Sequence, residues 1–314
     1  MSEPRLIHIS QAYLLALDYI KARQQGAEKS IKTPWNKVNL ATMNGLEWNN
    51  IIIVAGRPGS GKTMFTNMIT REAHRLNPDE RLMVLDFQFE MHAKNIALRE
   101  FAAGVGKTID ELSSAFDPLD EKEFEAVKLY VEKHSHKDIW TVDKPCTVNE
   151  MKSIIESTLL KYQKPLIVTI DHSVLVAKGA TEKDTFETLH ALAKMMTDLK
   201  KKYKIMFLVL SQLNREVEST ERQKPGTYGN YLFDSDIYGG DALLQHADLV
   251  FGLNRPSKYN LPVYGPEKYI VEKDLIVLHY LKNRNGKAST MSFFKEEFRH
   301  MRLIETETPS RRQS

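Results

Sequence analysis

IIIVAGRPGSGKT, residues 51 to 63, passes from an unbroken apolar run into a glycine-rich turn that ends in lysine and threonine. The run does not alternate with polar residues, so it reads as a strand covered on both faces, as in a parallel sheet. The turn, Gly56-Arg57-Pro58-Gly59-Ser60-Gly61-Lys62-Thr63, fits the spacing G-x-x-x-x-G-K-[ST] at every position. Its glycines let backbone N–H groups wrap a phosphate chain with no Cβ in the way. MFTNMITREAHRL follows as a helix, and a helix N-terminus favours anionic phosphate. Lys62 can reach the β- and γ-phosphates of a nucleoside triphosphate, and the Thr63 hydroxyl can ligate Mg²⁺. ATP or another nucleoside triphosphate, with Mg²⁺, is therefore the expected cofactor.

An acid that supports the metal should close a second buried strand. LIVTI, residues 166–170, is such a strand, and Asp171 stands at its carboxyl end, where open parallel sheets collect ligands. Glu90 follows the run LMVLDFQF, and a carboxylate there can take a proton from an attacking water. Asp86 is its rival but lies inside the run. Further apolar runs at 205–210, 249–253 and 275–281 are interspersed with amphipathic stretches at 120–134, 148–162 and 183–204. Strands alternating with helices predict a doubly wound α/β core around a mainly parallel sheet.

Residues 11–25, QAYLLALDYIKARQQ, set Leu14, Leu17 and Ile20 on a helical stripe beside Tyr13, and Gly26 is the stop. A short helix cannot bury its apolar face alone, so it should dock on its own domain or on another chain. Polar residues 27–37 read as a linker, and the run from Glu305 as a frayed tail. The expected organisation is a linker helix and linker at 1–32, a core at 33–304 and a polar tail at 305–314. The KKKYK run at 200–204 complements a helix dipole. With 44 Lys+Arg against 41 Asp+Glu and 42% hydrophobic residues, the chain is neither disordered nor fibrous. Its small net charge can still hide a local basic channel. Cys146 is the single cysteine, so the chain forms no internal disulfide and a reducing compartment fits. Apolar runs fall short of the roughly 20 residues a membrane span needs. The N-terminus lacks the pattern of a signal peptide. A cytoplasmic protein with no membrane partner is expected.

Beyond the phosphate loop and Asp171, four segments resemble motifs of DnaB-type replicative helicases, in that family's order across residues 33–304. FQFEMHAKNIALREFAA (87–103) looks like the segment with the catalytic glutamate, and SQLNR (211–215) like the third motif. QHADLV (245–250) looks like the lead into the next core strand, and KNRNG (282–286) like the arginine-finger motif. The resemblance implies a RecA-like P-loop ATPase core, preceded by a short linker helix. It implies a homo-hexameric ring that translocates on single-stranded DNA from 5′ to 3′ and unwinds duplex. A primase or a helicase loader would be a further partner, in a bacterial or phage-infected cell. It implies Lys62 and Thr63 on phosphate and metal, Asp171 behind the metal, Glu90 as catalytic base and Gln212 as sensor of the γ-phosphate. An amide there can change partner when the phosphate leaves and pass the change to the following loop. Lys282 and Arg284, which share a strand face, would reach the neighbouring subunit's nucleotide. Spacing alone reads them as a solvated basic strand end.

Two departures from the family carry expectations of their own. Only residues 1–32 precede the core, so the resemblance implies a minimal form, as phages or plasmids carry, without the separate N-terminal helical domain. In the DNA-holding loop the family's Arg-Glu pair is replaced by Ser235-Asp236-Ile237-Tyr238-Gly239-Gly240-Asp241. Residues 214–241 show neither strand nor helix pattern, and loops this long are often functional. Arg215, Arg222 and Lys224 are candidates for DNA phosphates, Gly239 and Gly240 for backbone contacts, and Tyr228, Tyr231 and Tyr238 for base stacking. Six acidic residues dilute that charge: Glu216, Glu218, Glu221, Asp234, Asp236 and Asp241. The rival readings are a RecA-like single-strand-binding ATPase of recombination that does not unwind, and a nucleotide-binding switch without turnover.

Overall fold

The computed structural model of the chain describes residues 6–224, 230–238, 240–288 and 290–312, so Tyr228 and Gly239 lie outside the described residues. The strands are Ile51–Gly56 (β1), Met83–Gln88 (β2), Ile139–Val142 (β3), Leu166–Asp171 (β4), Ile205–Gln212 (β5), Leu249–Asn254 (β6), Val263–Tyr264 (β7), Tyr269–Ile270 (β8), Leu275–Asn283 (β9), Met291–Glu297 (β10) and Arg302–Thr306 (β11). The helices are Ile9–Gln24 (α1), Asn36–Ala41 (α2), Lys62–Leu76 (α3), Ala93–Val105 (α4), Ile109–Ser113 (α5), Glu121–His134 (α6), Val148–Tyr162 (α7), Thr185–Lys202 (α8), Thr220–Gln223 (α9) and Gly240–His246 (α10).

Among the described residues, nine strands form one sheet in the order β11-β10-β9-β6-β1-β5-β4-β2-β3. The six from β6 to β3 run parallel. β9, β10 and β11 extend the sheet antiparallel beyond β6. Parallel neighbours require crossovers, which put helices on both faces, and every residue of β1, β2, β4 and β6 is buried. Alternate side chains of β1 feed two cores. Ile51, Ile53 and Ala55 pack with residues of α7, α8 and α10, while Ile52 and Val54 pack with Trp35 and with Phe65 of α3. Trp35 stacks on Phe65 with ring centroids 4.6 Å apart. Fully burying an aromatic side chain of this kind contributes about 2–3 kcal/mol.

The helices expected at 120–134, 148–162 and 183–204 are α6, α7 and α8. Capping boxes at Asp120/Glu123 and Thr147/Glu150 start the first two, and Asp184 caps the third. Two expectations at the ends are corrected. Residues 27–37 are not a free linker: Ser30, Ile31, Thr33 and Trp35 are buried, and Ile31 pairs with Leu46. Lysines and a proline masked those anchors, so the packed core starts near Ser30. The run from Glu305 is not frayed either. Glu305 and Thr306 complete β11, the Glu305 carboxylate accepts the Lys37 backbone N–H at 2.9 Å, and Arg311 bridges to Tyr269.

α1 forms as expected, with Gly26 beyond its end at φ +70°. None of its residues is buried, and Leu14, Leu17 and Ile20 stay 62%, 46% and 49% exposed. Ties to the core come from its C-terminal half. The Tyr19 hydroxyl donates to Glu47 at 3.0 Å, and Arg23 donates to the Ser30 hydroxyl and the Met43 carbonyl, each at 2.9 Å. No helix among the described residues is long and apolar enough to cross a membrane.

Candidate active site

The phosphate loop begins where β1 ends, with Gly56 between Gln212 of β5 and Leu253 of β6. A Cβ on Gly56 would lie 2.3 Å from Ser60 Oγ and 2.9 Å from the Leu253 carbonyl, so glycine alone fits. Gly61 caps α3 at φ +94°, a region that penalises a Cβ. Lys62 Nζ folds over the loop and donates to the Gly56 carbonyl at 2.7 Å and the Arg57 carbonyl at 3.4 Å. Burial pushes the lysine down to about 8, while Asp171 and Glu90 oppose that shift. Phosphate oxygens would raise it again. Arg57 is turned elsewhere: its guanidinium donates to the Leu213 carbonyl at 2.9 Å and to Glu218 at 2.7 Å. Expected to bind nucleotide, Arg57 offers the loop its main chain, with its side chain engaged behind it.

Thr63 Oγ1 donates to Asp171 Oδ2 at 2.9 Å, which joins the first turn of α3 to the end of β4. Burial pushes Asp171 up to about 6, and Glu90 adds to the rise against the Thr63 hydrogen bond and Lys62. A carboxylate penalised in this way, beside a hydroxyl, suits a divalent cation. Among the described residues no group of three or more His, Cys, Asp or Glu forms a protein-only metal cage. Mg²⁺ needs none, because phosphates and water supply its other ligands. Glu90 is exposed at the edge of a cleft that Lys62, Thr63, Asp171 and Gln212 also line. Asp86 is fully buried, accepts the Thr169 hydroxyl and pairs with Arg71 at 3.0 Å. It is an anchor inside the sheet and cannot meet a water in this cleft.

Lys282, in β9, and Arg284, just past it, stand toward the opposite, amino-terminal ends of the parallel strands. Arg284 N–H donates to the Asp248 carbonyl, and Asp248 N–H donates to the Ile51 carbonyl. Arg284 is thus level with the start of β1, about 16 Å along the strand from Gly56 at the usual rise per residue. Its guanidinium pairs with Asp248 at 3.2 Å and donates to the Gln245 carbonyl at 3.3 Å. Lys282 Nζ donates to the Leu244 carbonyl at 2.5 Å. Neither side chain is directed to the chain's own phosphate loop.

The segment after β5 has more order than its composition suggested. It holds one-turn helices at Arg215–Glu218 and Asp234–Asp236, it contains α9, and a bridge between Leu213 and Ile237 closes its base. Arg222, expected on DNA phosphate, pairs instead with the buried Asp236 and donates to the Tyr231 carbonyl. That clasp gives the segment its shape. Tyr231, expected to stack on bases, packs edge-on against His279 at 4.7 Å. Lys224 pairs with Glu221. Arg215 and Tyr238 are exposed, and Gly240 opens α10.

Of the lining residues that escaped the sequence reading, three bear on the chemistry of the cleft. His172 follows Asp171, is held neutral by burial, and has Nε2 3.4 Å from Gln212 Nε2. Its position beside the metal acid was the available signal. Arg99 lines the cleft from α4, inside a motif that was read only for its glutamate. Phe298 faces Gly61 and carries Arg255 over its ring at 4.8 Å. It lies outside every motif, so nothing local marked it.

Residues 30–302 match the family model of the DnaB-like helicase C terminal domain. The replicative DNA helicase DnaC of Bacillus subtilis (strain 168) is 26% identical over 278 residues, which cover 87% of this chain and 56% of that protein. The chain thus spans little more than half the length of this curated relative. Among solved structures, one of an isolated ATPase domain is 20% identical with a TM-score of 0.78, covering 96% of this chain and 100% of that one. "The Structure Of A DnaB-Like Replicative Helicase And Its Interactions With Primase" is 19% identical with a TM-score of 0.79, covering 96% and 69%. The fold they share is the RecA-like ATPase core.

Proposed function

The chain belongs to the family of the DnaB-like helicase C terminal domain, and from that membership we propose that it is the motor of a ring-forming, ATP-dependent replicative DNA helicase. The observation that carries the reading is a divided site. Lys62, Thr63, Glu90, Asp171 and Gln212 line one cleft at the carboxyl ends of the parallel strands, while Lys282 and Arg284 lie toward their amino-terminal ends. A ring would bring that end of one subunit to the cleft of the next. The exposed stripe of α1 supports the same assembly, because no cover for it is found among the described residues.

Within the cleft, Lys62 exchanges its carbonyl partners for β- and γ-phosphate oxygens. Thr63 and Asp171 would hold Mg²⁺, which would supply neutralisation of phosphate charge. Glu90 accepts the proton of the attacking water. Gln212 meets the γ-phosphate. Arg284 of the neighbour, with Lys282, leaves Asp248 and stabilises the charge that develops in transfer. Single-stranded DNA is the polymer that Arg215, Lys224 and the glycines Gly239 and Gly240 would meet in the channel. A primase or a loader is the assigned protein partner, and the cytoplasm the assigned compartment.

The test is strand separation on a forked duplex with ATP and Mg²⁺, run beside an ATPase assay. We expect unwinding and a turnover that single-stranded DNA stimulates. Turnover without unwinding would instead favour the recombination-type ATPase, and absence of turnover a nucleotide switch.

A further inference from the structure

We propose that Glu218, acting through Arg57, is a positioning residue that couples the phosphate loop to the segment following β5. The Arg57 guanidinium spans a short piece of that segment and holds both of its ends. One branch donates to the Leu213 carbonyl at 2.9 Å, and the other to Glu218 Oε2 at 2.7 Å. Leu213 directly follows Gln212, so the grip starts one residue past the assigned γ-phosphate sensor. The pair is largely shielded, with side-chain exposures of 14% for Arg57 and 25% for Glu218. Such charge-assisted, two-pronged contacts are among the stronger and more directional in proteins.

The second carboxylate oxygen of Glu218 is also in use. Tyr259, just after β6, donates its hydroxyl to Oε1 at 2.7 Å. Lys258 lies 3.6 Å from the same carboxylate and donates to the Pro58 carbonyl at 3.2 Å. The Arg57 contact, helped by the Tyr259 hydroxyl, holds Glu218 down to about 2. Val217 beside it is fully buried and ties the turn to the core.

A continuous path results. Lys62 Nζ holds the Arg57 carbonyl at 3.4 Å, the Arg57 side chain holds Leu213 and Glu218, and those residues begin the segment assigned to DNA. When Lys62 turns to phosphate, the backbone that carries Arg57 loses that partner, and the guanidinium transmits the shift. By linkage, a polymer that fixes the segment changes nucleotide affinity by the same factor. The consequence for DNA rests on the proposed function, whereas the link between the two loops does not.

The test separates the two. Hydrogen exchange of residues 213–223 is followed in the full chain, with and without Mg²⁺ and a non-hydrolysable ATP analogue. In the wild type the analogue should change exchange there. In Glu218→Gln the analogue should bind with near wild-type affinity and the exchange response should vanish. In the same samples, an oligothymidylate should tighten analogue binding about fivefold or more in the wild type, the usual lower range for coupled sites, and leave Glu218→Gln unchanged. No exchange response in the wild type, or an intact response in Glu218→Gln, overturns the link. Loss of analogue binding by Glu218→Gln without DNA also overturns it, since Glu218 would then only scaffold the phosphate loop. Should that variant not fold, Tyr259→Phe removes only the hydroxyl that steadies Glu218, and its exchange response must shrink for the link to stand. A wild type that binds no oligothymidylate removes the proposed function, and the exchange readout still decides the link.

Discussion

Asp171 combines two demands, burial at a strand end and readiness for a cation. Its carboxyl titrates near 6 in the fold, against 3.8 ordinarily. The folded chain therefore holds more protons than the unfolded chain between those values, and this residue's contribution to stability improves as pH falls through about 6. Above that the fold carries an ionised, disfavoured carboxylate. Asp171→Asn should stabilise the nucleotide-free protein by up to about 3 kcal/mol near neutral pH. The gain should shrink to nothing below about pH 3, where the wild-type group is neutral in both states. Denaturant titrations across that range check it, and a gain that ignores pH contradicts the assigned environment. At this scale Lys62, Thr63 and Asp171 were legible because their partners sit in one short motif or at a strand end. The side-chain roles of Arg57 and Arg222 were not. Glu218 is 161 residues from Arg57, and no local pattern reports such a contact.

α1 and the segment after β5 show how elements differ in what their sequence reveals. The stripe of α1 was plain, and the fold leaves it uncovered. Burying Leu14, Leu17 and Ile20 on another chain would contribute roughly 5 kcal/mol before entropy costs. Removing residues 1–28 should leave the thermal midpoint of the core almost unchanged and weaken assembly, as read by sedimentation over a concentration series. Equal assembly at every concentration would show that the helix does not join subunits. For the segment after β5, Arg222→Ala leaves the buried Asp236 without its ion-pair partner and should destabilise the protein by on the order of 3 kcal/mol. Arg215→Ala should leave the melting temperature alone, weaken oligonucleotide binding and flatten its salt dependence by about 0.7 in logarithmic slope. The reverse pattern would exchange their roles. The core strands β1, β4, β5, β6 and β9 were readable as unbroken apolar runs. β3 and β11 were not, because an edge strand keeps one polar face, nor was β10, whose apolar run is broken by Lys295, Glu296 and Glu297. Ile31 and Trp35 were hidden because single anchors among polar residues make no period.

On the proposed function, the whole molecule would hold half of each of two sites. Its cleft faces one way, and Lys282 with Arg284 faces the other, Lys282 engaged with α10 and Arg284 with the end of α10 and with Asp248. Fold class was legible from the alternation of apolar runs and helices. The opposed placement of the two half-sites was not, because it depends on β9 running antiparallel to β6, which no residue spacing encodes. The central claim is that a complete site needs two chains. Arg284→Ala alone should hydrolyse ATP slower by on the order of 10³-fold, and Glu90→Gln alone should be slow through the loss of its own base. The decisive measurement is ATPase activity of the two inactive proteins mixed under confirmed subunit exchange, without a duplex load. Interfaces that pair an intact cleft with an intact Arg284 should recover hydrolysis, with a maximum near equal parts. Full activity of Arg284→Ala by itself, or no recovery in exchanged mixtures, would contradict a site shared between neighbours.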